Sequence, residues 1–305
     1  MMGSFGFKDF HGVSPVLYAF WTEDGRLDED AMHHQVERCV AAGAHGITVL
    51  GLVTEIHKMS YDERLNLVRV VGTALNGRVP YSVTVGEPTV EGQRAFIAAS
   101  ADAGADWVIL QPPPVKGIGE EALVDFFQRV AHASPVPVAI QNNPVNLDVW
   151  LSNDALVRLV GENERISLVK GEGSALSVAT LTRRLGPDVA VFAGHGGVEF
   201  PINLDGGCAG LIPAPELLDR QVEVYELYRR GDADGLASAA VRHAEVLPWI
   251  VMVTRAGVEQ MLYYGKHLMA ARLGLPPPVM RAPTVAENEF GVRQVERMAA
   301  LLGSL

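Results

Sequence analysis

The sequence predicts a closed (β/α)8 barrel that carries a C-terminal helical extension. Three observations predict it: eight short, nearly continuous apolar runs, amphipathic helical patterns between them, and a start-to-start spacing of roughly 20 to 35 residues. That spacing suits a strand, a crossover helix and two loops, and eight such units close a parallel sheet on itself.

The runs are "GVSPVLYAF" from Gly12, "GITVLG" from Gly46, "VPYSVTVG" from Val79, "DWVILQPP" from Asp106, "VPVAIQNNP" from Val136, "ISLVKGEG" from Ile166, "VAVFAG" from Val189 and "CAGLIPA" from Cys208. Their unbroken apolarity, without alternation, is the mark of parallel strands covered on both faces. Between them a helix is expected from Asp28 to Ala42. A second follows a capping box, Ser60 to Glu63, and a third lies in "TVEGQRAFIAASADAG". Two more have serine N-caps at Ser152 and Ser174. A doubly wound open sheet is the competing architecture, but "YAFWTEDG" after the first strand holds no GxGxxG. Residues 1–218 are assigned to the barrel, with a closing helix to about 230; residues 231–305, helical in pattern and punctuated by "LPPPVMRAP", form the C-terminal helical region.

Composition narrows the function. Of 305 residues, 48% are hydrophobic and 20% charged, a globular profile, and the net charge of -11 disfavours nucleic acid and anionic membrane as partners. Cys39 and Cys208 are isolated, and neither HExxH nor a Cys/His cluster appears, so no metal site is expected. The N-terminus lacks a basic segment followed by an apolar run, no run reaches the length of a membrane span, and a cytoplasmic protein is expected.

In such a barrel, chemistry collects where strands end and βα loops begin. Lys170 is the basic residue that ends an apolar strand, and Ile166, Leu168 and Lys170 share one of its faces. An ordinary lysine, with a pKa near 10.4, offers only about one neutral amine in 2,500 at pH 7, whereas a desolvated one near 7.5 offers about a quarter. The second state is what a Schiff-base nucleophile needs. Spacing alone leaves two readings open: an outward, snorkelling lysine or a nucleophile at the barrel mouth.

The order of the motifs adds to this. "HGVSPVLYAF", "VLGLVTEIHKMSYDER", "IQNNP", "SLVKGEG", "FAGHGG" and "GGCAGLIPA" together resemble the strand ends of the dihydrodipicolinate synthase / N-acetylneuraminate lyase family, from about His11 to Pro283. The resemblance implies a barrel with a C-terminal helical region and homodimers or homotetramers. It also implies an imine between Lys170 and a 2-oxo acid, with no further cofactor. Departures are equally specific. Leu52 and Val53 stand where the family's synthases carry paired threonines, Gln141 where they carry a tyrosine, and "QPPPVK" where a second tyrosine is lent to a neighbour; Asn146 is near the position of a carboxylate-binding arginine. These changes resemble the branch acting on 2-keto-3-deoxy sugar acids, where Gln precedes an x-x-Pro turn and Lys is followed by x-Glu, as in Lys170-Gly171-Glu172. Dehydration and aldol cleavage both remain open. So do synthase-like pyruvate condensation and non-catalytic 2-oxo acid binding on the same barrel.

Glu172, two residues beyond Lys170, is the first candidate for the acid/base group, and His195 is the second. Gln141 is assigned to the catalytic set. For the substrate carboxylate the backbone N–H groups around Leu52, Val53 and Thr54 are expected, with the Thr54 hydroxyl as an extra donor. Asn143 shares parity with Gln141, while Asn142 faces away to hold the turn. Asn143 and His195 are expected to bind substrate, and Gly194 and Ile212, at the ends of the seventh and eighth strands, complete that set. Glu55 is expected to support the loop after the second strand, and His33, His34, His243 and His267 to serve surface or packing roles.

Overall fold

The computed structural model describes residues 5–145, 147 and 149–305, so Asn146 lies outside the described residues. Eight parallel strands follow the chain order: β1 (Gly12–Val13), β2 (Ile47–Val49), β3 (Tyr81–Val85), β4 (Trp107–Leu110), β5 (Val138–Asn142), β6 (Ile166–Gly171), β7 (Ala190–Ala193) and β8 (Gly210–Leu211). Each pairs with its sequence neighbour from β2 to β8, and β8 pairs with β1. A parallel bridge between Val16 and Thr48 joins β1 to β2 and closes the (β/α)8 barrel.

The first strand is shorter than its nine-residue apolar run suggests. Pro15 has no N–H to give a ladder, and the segment divides its bonds between two neighbours. Ser14 and Val16 donate to Leu211 and Pro213 at 2.9 and 2.7 Å, whereas Leu17 donates to Thr48 at 2.9 Å. Glycine makes the β1–β8 seam possible, because a Cβ on Gly210 would stand 1.9 Å from the Gly12 carbonyl oxygen.

The helices are α1 (Glu29–Ala41), α2 (Tyr61–Leu75), α3 (Val90–Asp102), α4 (Glu120–His132), α5 (Asn153–Gly161), α6 (Ala175–Leu185), α7 (Phe200–Asp205), α8 (Leu218–Arg229), α9 (Ala233–Arg255), α10 (Val258–Leu273) and α11 (Glu289–Leu302). Asp28, Thr89, Ser152 and Ser174 cap their helices by accepting a backbone N–H. Ser60 and Glu63 form the reciprocal box. Across the barrel Trp107 of β4 stacks on Phe192 of β7, centroids 5.8 Å apart, and Phe10 packs on Trp107 at 5.6 Å. Phe10, Trp107 and Phe192 thus form one buried aromatic group.

Helices α9 to α11 build a second apolar cluster, with Val246, Trp249, Ile250, Tyr264 and Leu268 in it. The expectation that no run reaches the length of a membrane span needs correction here. Helix α9, at 23 residues, is long and apolar enough to cross one. Its apolar side is occupied by protein instead: His243, Val246, Trp249, Ile250 and Val253 are buried on it.

Candidate active site

Lys170 lies in one row with Gln141 of β5 and Phe192 of β7. Side chains of one row in a parallel sheet share a face, so the amine follows the phenyl ring of Phe192 toward the barrel axis. Two glycines flank Glu172, yet the backbone stays extended, because the Glu172 N–H bonds the Asn142 carbonyl at 2.9 Å and prolongs the ladder. Lys170 and Glu172 therefore reach one cavity. They are 7% and 6% exposed.

The carboxylate of Glu172 is held from three directions. Lys170 Nζ is 3.5 Å from its Oε1, the His195 N–H donates to the same oxygen at 3.3 Å, and Gln141 Nε2 donates to Oε2 at 2.7 Å. Gln141 is fixed in turn by Gln111, whose Nε2 donates to the Gln141 Oε1 at 3.0 Å. His195 adopts a left-handed backbone, φ +55°, unusual for a residue with a Cβ and costing about 1–3 kcal/mol. That conformation turns its N–H toward Glu172 while its side chain borders the cavity.

The cavity measures about 150 Å³, below the ~300–1,000 Å³ of sites for drug-sized ligands, and so suits a small metabolite. Gln141, Asn143, Lys170, Glu172 and His195 form its polar side; Val16, Leu52, Val53, Ile212, Pro213 and Ala214 form its apolar side. Thr254, Gly257, Val258 and Met261, from the end of α9 and the start of α10, roof it. Leu52 and Val53 open a single 3-10 turn whose later N–H groups, on Thr54 and Glu55, bond back to Gly51 and Leu52. The two leading N–H groups take no partner among the described residues, which is the usual state of a helical first turn.

Several expected residues serve other ends. The Thr54 hydroxyl is fully buried and donates to the Leu17 carbonyl at 2.7 Å, so it is no donor to a ligand. Gly194 does not line the cavity among the described residues. Its lack of a side chain makes room for Glu172, since a Cβ there would stand 2.4 Å from the Glu172 Cγ and Oε1. Asn142 faces away and braces the turn, exchanging two bonds with the Leu151 backbone at 2.8 and 2.9 Å. Asn143 lines the cavity and accepts the Val145 N–H at 3.1 Å.

Sequence reasoning assigned no role to Gln111 and missed the roof. Gln111 directly follows the fourth strand, and strand-end position was a signal for it; the roof residues carried none.

Behind the Leu52–Val53 wall runs a buried ionic cluster. Glu55, fully buried at φ +61°, accepts from Lys266 of α10 and, at 3.0 Å, from Lys58. Lys58 also reaches Glu259, in the first turn of α10, at 2.7 Å, and His57 bonds the other oxygen of Glu259 at 3.1 Å. Burial drives the Lys266 ammonium below its ordinary pKa, against the pull of Glu55. Nearby, burial raises the Glu216 carboxyl, which accepts from the Tyr18 hydroxyl at 3.1 Å. Neither group lines the cavity among the described residues; both anchor the helices that roof it. No group of three or more His, Cys, Asp or Glu able to hold a metal ion occurs among the described residues.

A probable 2-dehydro-3-deoxy-D-pentonate aldolase of Escherichia coli is 27% identical over 302 residues, covering 93% of this chain and 96% of its own length. A DapA-like lyase of Halobacterium salinarum is 31% identical over 229 residues, 73% of this chain and 74% of that one. A dihydrodipicolinate synthase from Rhodopseudomonas palustris has the same fold, with a TM-score of 0.89 over 99% of this chain and all of that one at 20% identity. The model of the dihydrodipicolinate synthetase family matches residues 9–300, and the chain belongs to that family.

Proposed function

We propose that the protein is a Schiff-base lyase that cleaves a small 2-keto-3-deoxy sugar acid. The observation that carries this reading is the pairing of Lys170 with a Glu172 carboxylate held by Gln141 and the His195 N–H, at the floor of a small cavity. The relative from Escherichia coli, named for aldol cleavage of a keto-deoxy pentonate, supports it.

In this reading the substrate carboxylate docks on the Leu52 and Val53 N–H groups, a backbone cradle that binds an anion although the chain is acidic. Lys170 attacks the C2 carbonyl, and the carbinolamine loses water to give an iminium. A base takes the proton of the C4 hydroxyl, the C3–C4 bond breaks, and its electron pair flows into the iminium to leave an enamine. The C4 fragment departs as an aldehyde. Reprotonation at C3 and hydrolysis then release pyruvate and restore the lysine. Glu172 is the acid/base group, Gln141 orients it, and the His195 imidazole and Asn143 meet substrate hydroxyls.

If Glu172 instead removes a C3 proton and an acid protonates the departing C4 oxygen, the same iminium loses water. Product analysis separates the two. Incubation with 2-keto-3-deoxy-pentonates should yield pyruvate and an aldehyde in equal amounts. Loss of one water without carbon–carbon cleavage would make the enzyme a dehydratase. Turnover of no 2-keto-3-deoxy acid of four to six carbons would sink the reading. A cytoplasmic homodimer or homotetramer belongs to the same proposal, and light scattering on the purified chain tests its assembly.

A further inference from the structure

The far side of the cavity carries information about the end of the substrate remote from the carbonyl. Among the described residues lining it, Lys170 is the only lysine or arginine, and iminium formation ties that charge to C2 of the substrate. Away from the Leu52–Val53 backbone cradle, the lining includes Val16, Val258 and Met261, all apolar. Thr254 is polar in name, but its hydroxyl donates back to the Ile250 carbonyl at 2.7 Å, and its methyl group faces Gly196.

The cations behind this wall are already engaged. Lys266 is fully buried and paired with Glu55, and Lys58 is shared between Glu55 and Glu259. Arg255, one residue after Thr254, is exposed and is not among the lining residues. Glu259, the residue after Val258, is the ion-pair partner of Lys58, so the roof adds no uncommitted cation among the described lining residues.

We infer that this cavity selects 2-oxo acids whose distal end is uncharged, and that Val258 and Met261 form the wall that rejects a second carboxylate. The inference rests on the Schiff-base reading and names the substrate class within it. A carboxylate carried to that wall loses water without gaining a partner, so discrimination comes from an unpaired charge rather than from size.

The experiment compares two five-carbon 2-oxo acids that differ only at the far end, 2-oxopentanoate with a methyl group and 2-oxoglutarate with a carboxylate. Each is titrated against the full-length protein under borohydride, with pyruvate as the reference, and the Lys170 peptide is quantified by mass spectrometry. The expected result is capture of 2-oxopentanoate at a concentration about tenfold or more below that needed for 2-oxoglutarate. Met261→Arg should shift that ratio toward 2-oxoglutarate by about tenfold, by supplying the missing cation. Equal or better capture of 2-oxoglutarate by the unaltered protein overturns the inference and leaves the imine intact. An unchanged ratio in Met261→Arg removes Met261 from the distal wall. Absence of a pyruvate adduct is a different failure, since it removes the Schiff-base reading and this inference with it.

Discussion

Gln141 Nε2 lies 2.7 Å from Glu172 Oε2, and this bond links the ends of two neighbouring strands across the cavity floor. An amide at position 141 cannot pass a proton along, but it fixes the carboxylate that can. Glu172→Gln should lower turnover by about 10²–10⁴ while leaving the borohydride adduct at Lys170 in place. Gln141→Leu should lower turnover less, since the carboxylate survives and only its orientation is lost. Steady-state kinetics beside adduct yield check both, and turnover unaffected by Glu172→Gln would remove this carboxylate from the chemistry.

Gly194 packs directly on the same carboxylate, and a methyl group there would stand 2.4 Å from its Cγ. Gly194→Ala must displace Glu172. The expected outcome is a fall in kcat of about tenfold or more, for a stability change of only about 1–3 kcal/mol from overpacking. Paired kinetics and urea unfolding measure the split; a variant of unchanged kcat would show that the position of Glu172 is immaterial.

The buried Glu55–Lys266 pair predicts a stability cycle. Glu55→Gln leaves the fully buried Lys266 without its partner and should cost about 3–5 kcal/mol. Adding Lys266→Met to that variant removes the stranded charge, and more than half of the loss should return. Denaturant titration of the single and double variants tests this, and strict additivity would contradict it.

Acid should weaken one surface tether in a defined window. A hydrogen bond from the Arg281 guanidinium is the main reason the Glu63 carboxyl is held down to about 2. Its unfolded value is about 4.3, so the unfolded chain binds the proton first. The stabilisation is complete above about pH 4.3 and disappears as the pH falls through about 2. Solvent screens this partly exposed pair, so its worth is below about 1 kcal/mol. Glu63→Gln, which keeps an oxygen for the Ser60 N–H, should be less stable than the unaltered chain at pH 7 and equal to it near pH 2. A gap that persists at low pH would contradict the assignment.

How far the sequence foretold this site depended on whether a residue's partner lay on its own strand. Lys170 and Glu172 were legible because a spacing of two on an extended chain brings side chains to one face. The caps at Ser60, Ser152 and Ser174 were legible for the same local reason. The first strand was over-read, because apolarity alone does not reveal that the segment beyond Val13 divides its bonds between two neighbours. Thr54 was misread because its acceptor, the Leu17 carbonyl, is brought near only by barrel closure. Lys266 was invisible as the partner of Glu55, 211 residues away, and the roof at Thr254 to Met261 emerges only when the C-terminal helices fold back.

The account depends on the Lys170 amine reaching a 2-oxo carbon inside the cavity. Borohydride reduction in the presence of pyruvate, followed by peptide mapping, measures this most directly. A single reduced pyruvyl adduct on Lys170, abolished in Lys170→Ala, is the predicted result. An adduct on another lysine, or no adduct with any 2-oxo acid, would contradict it.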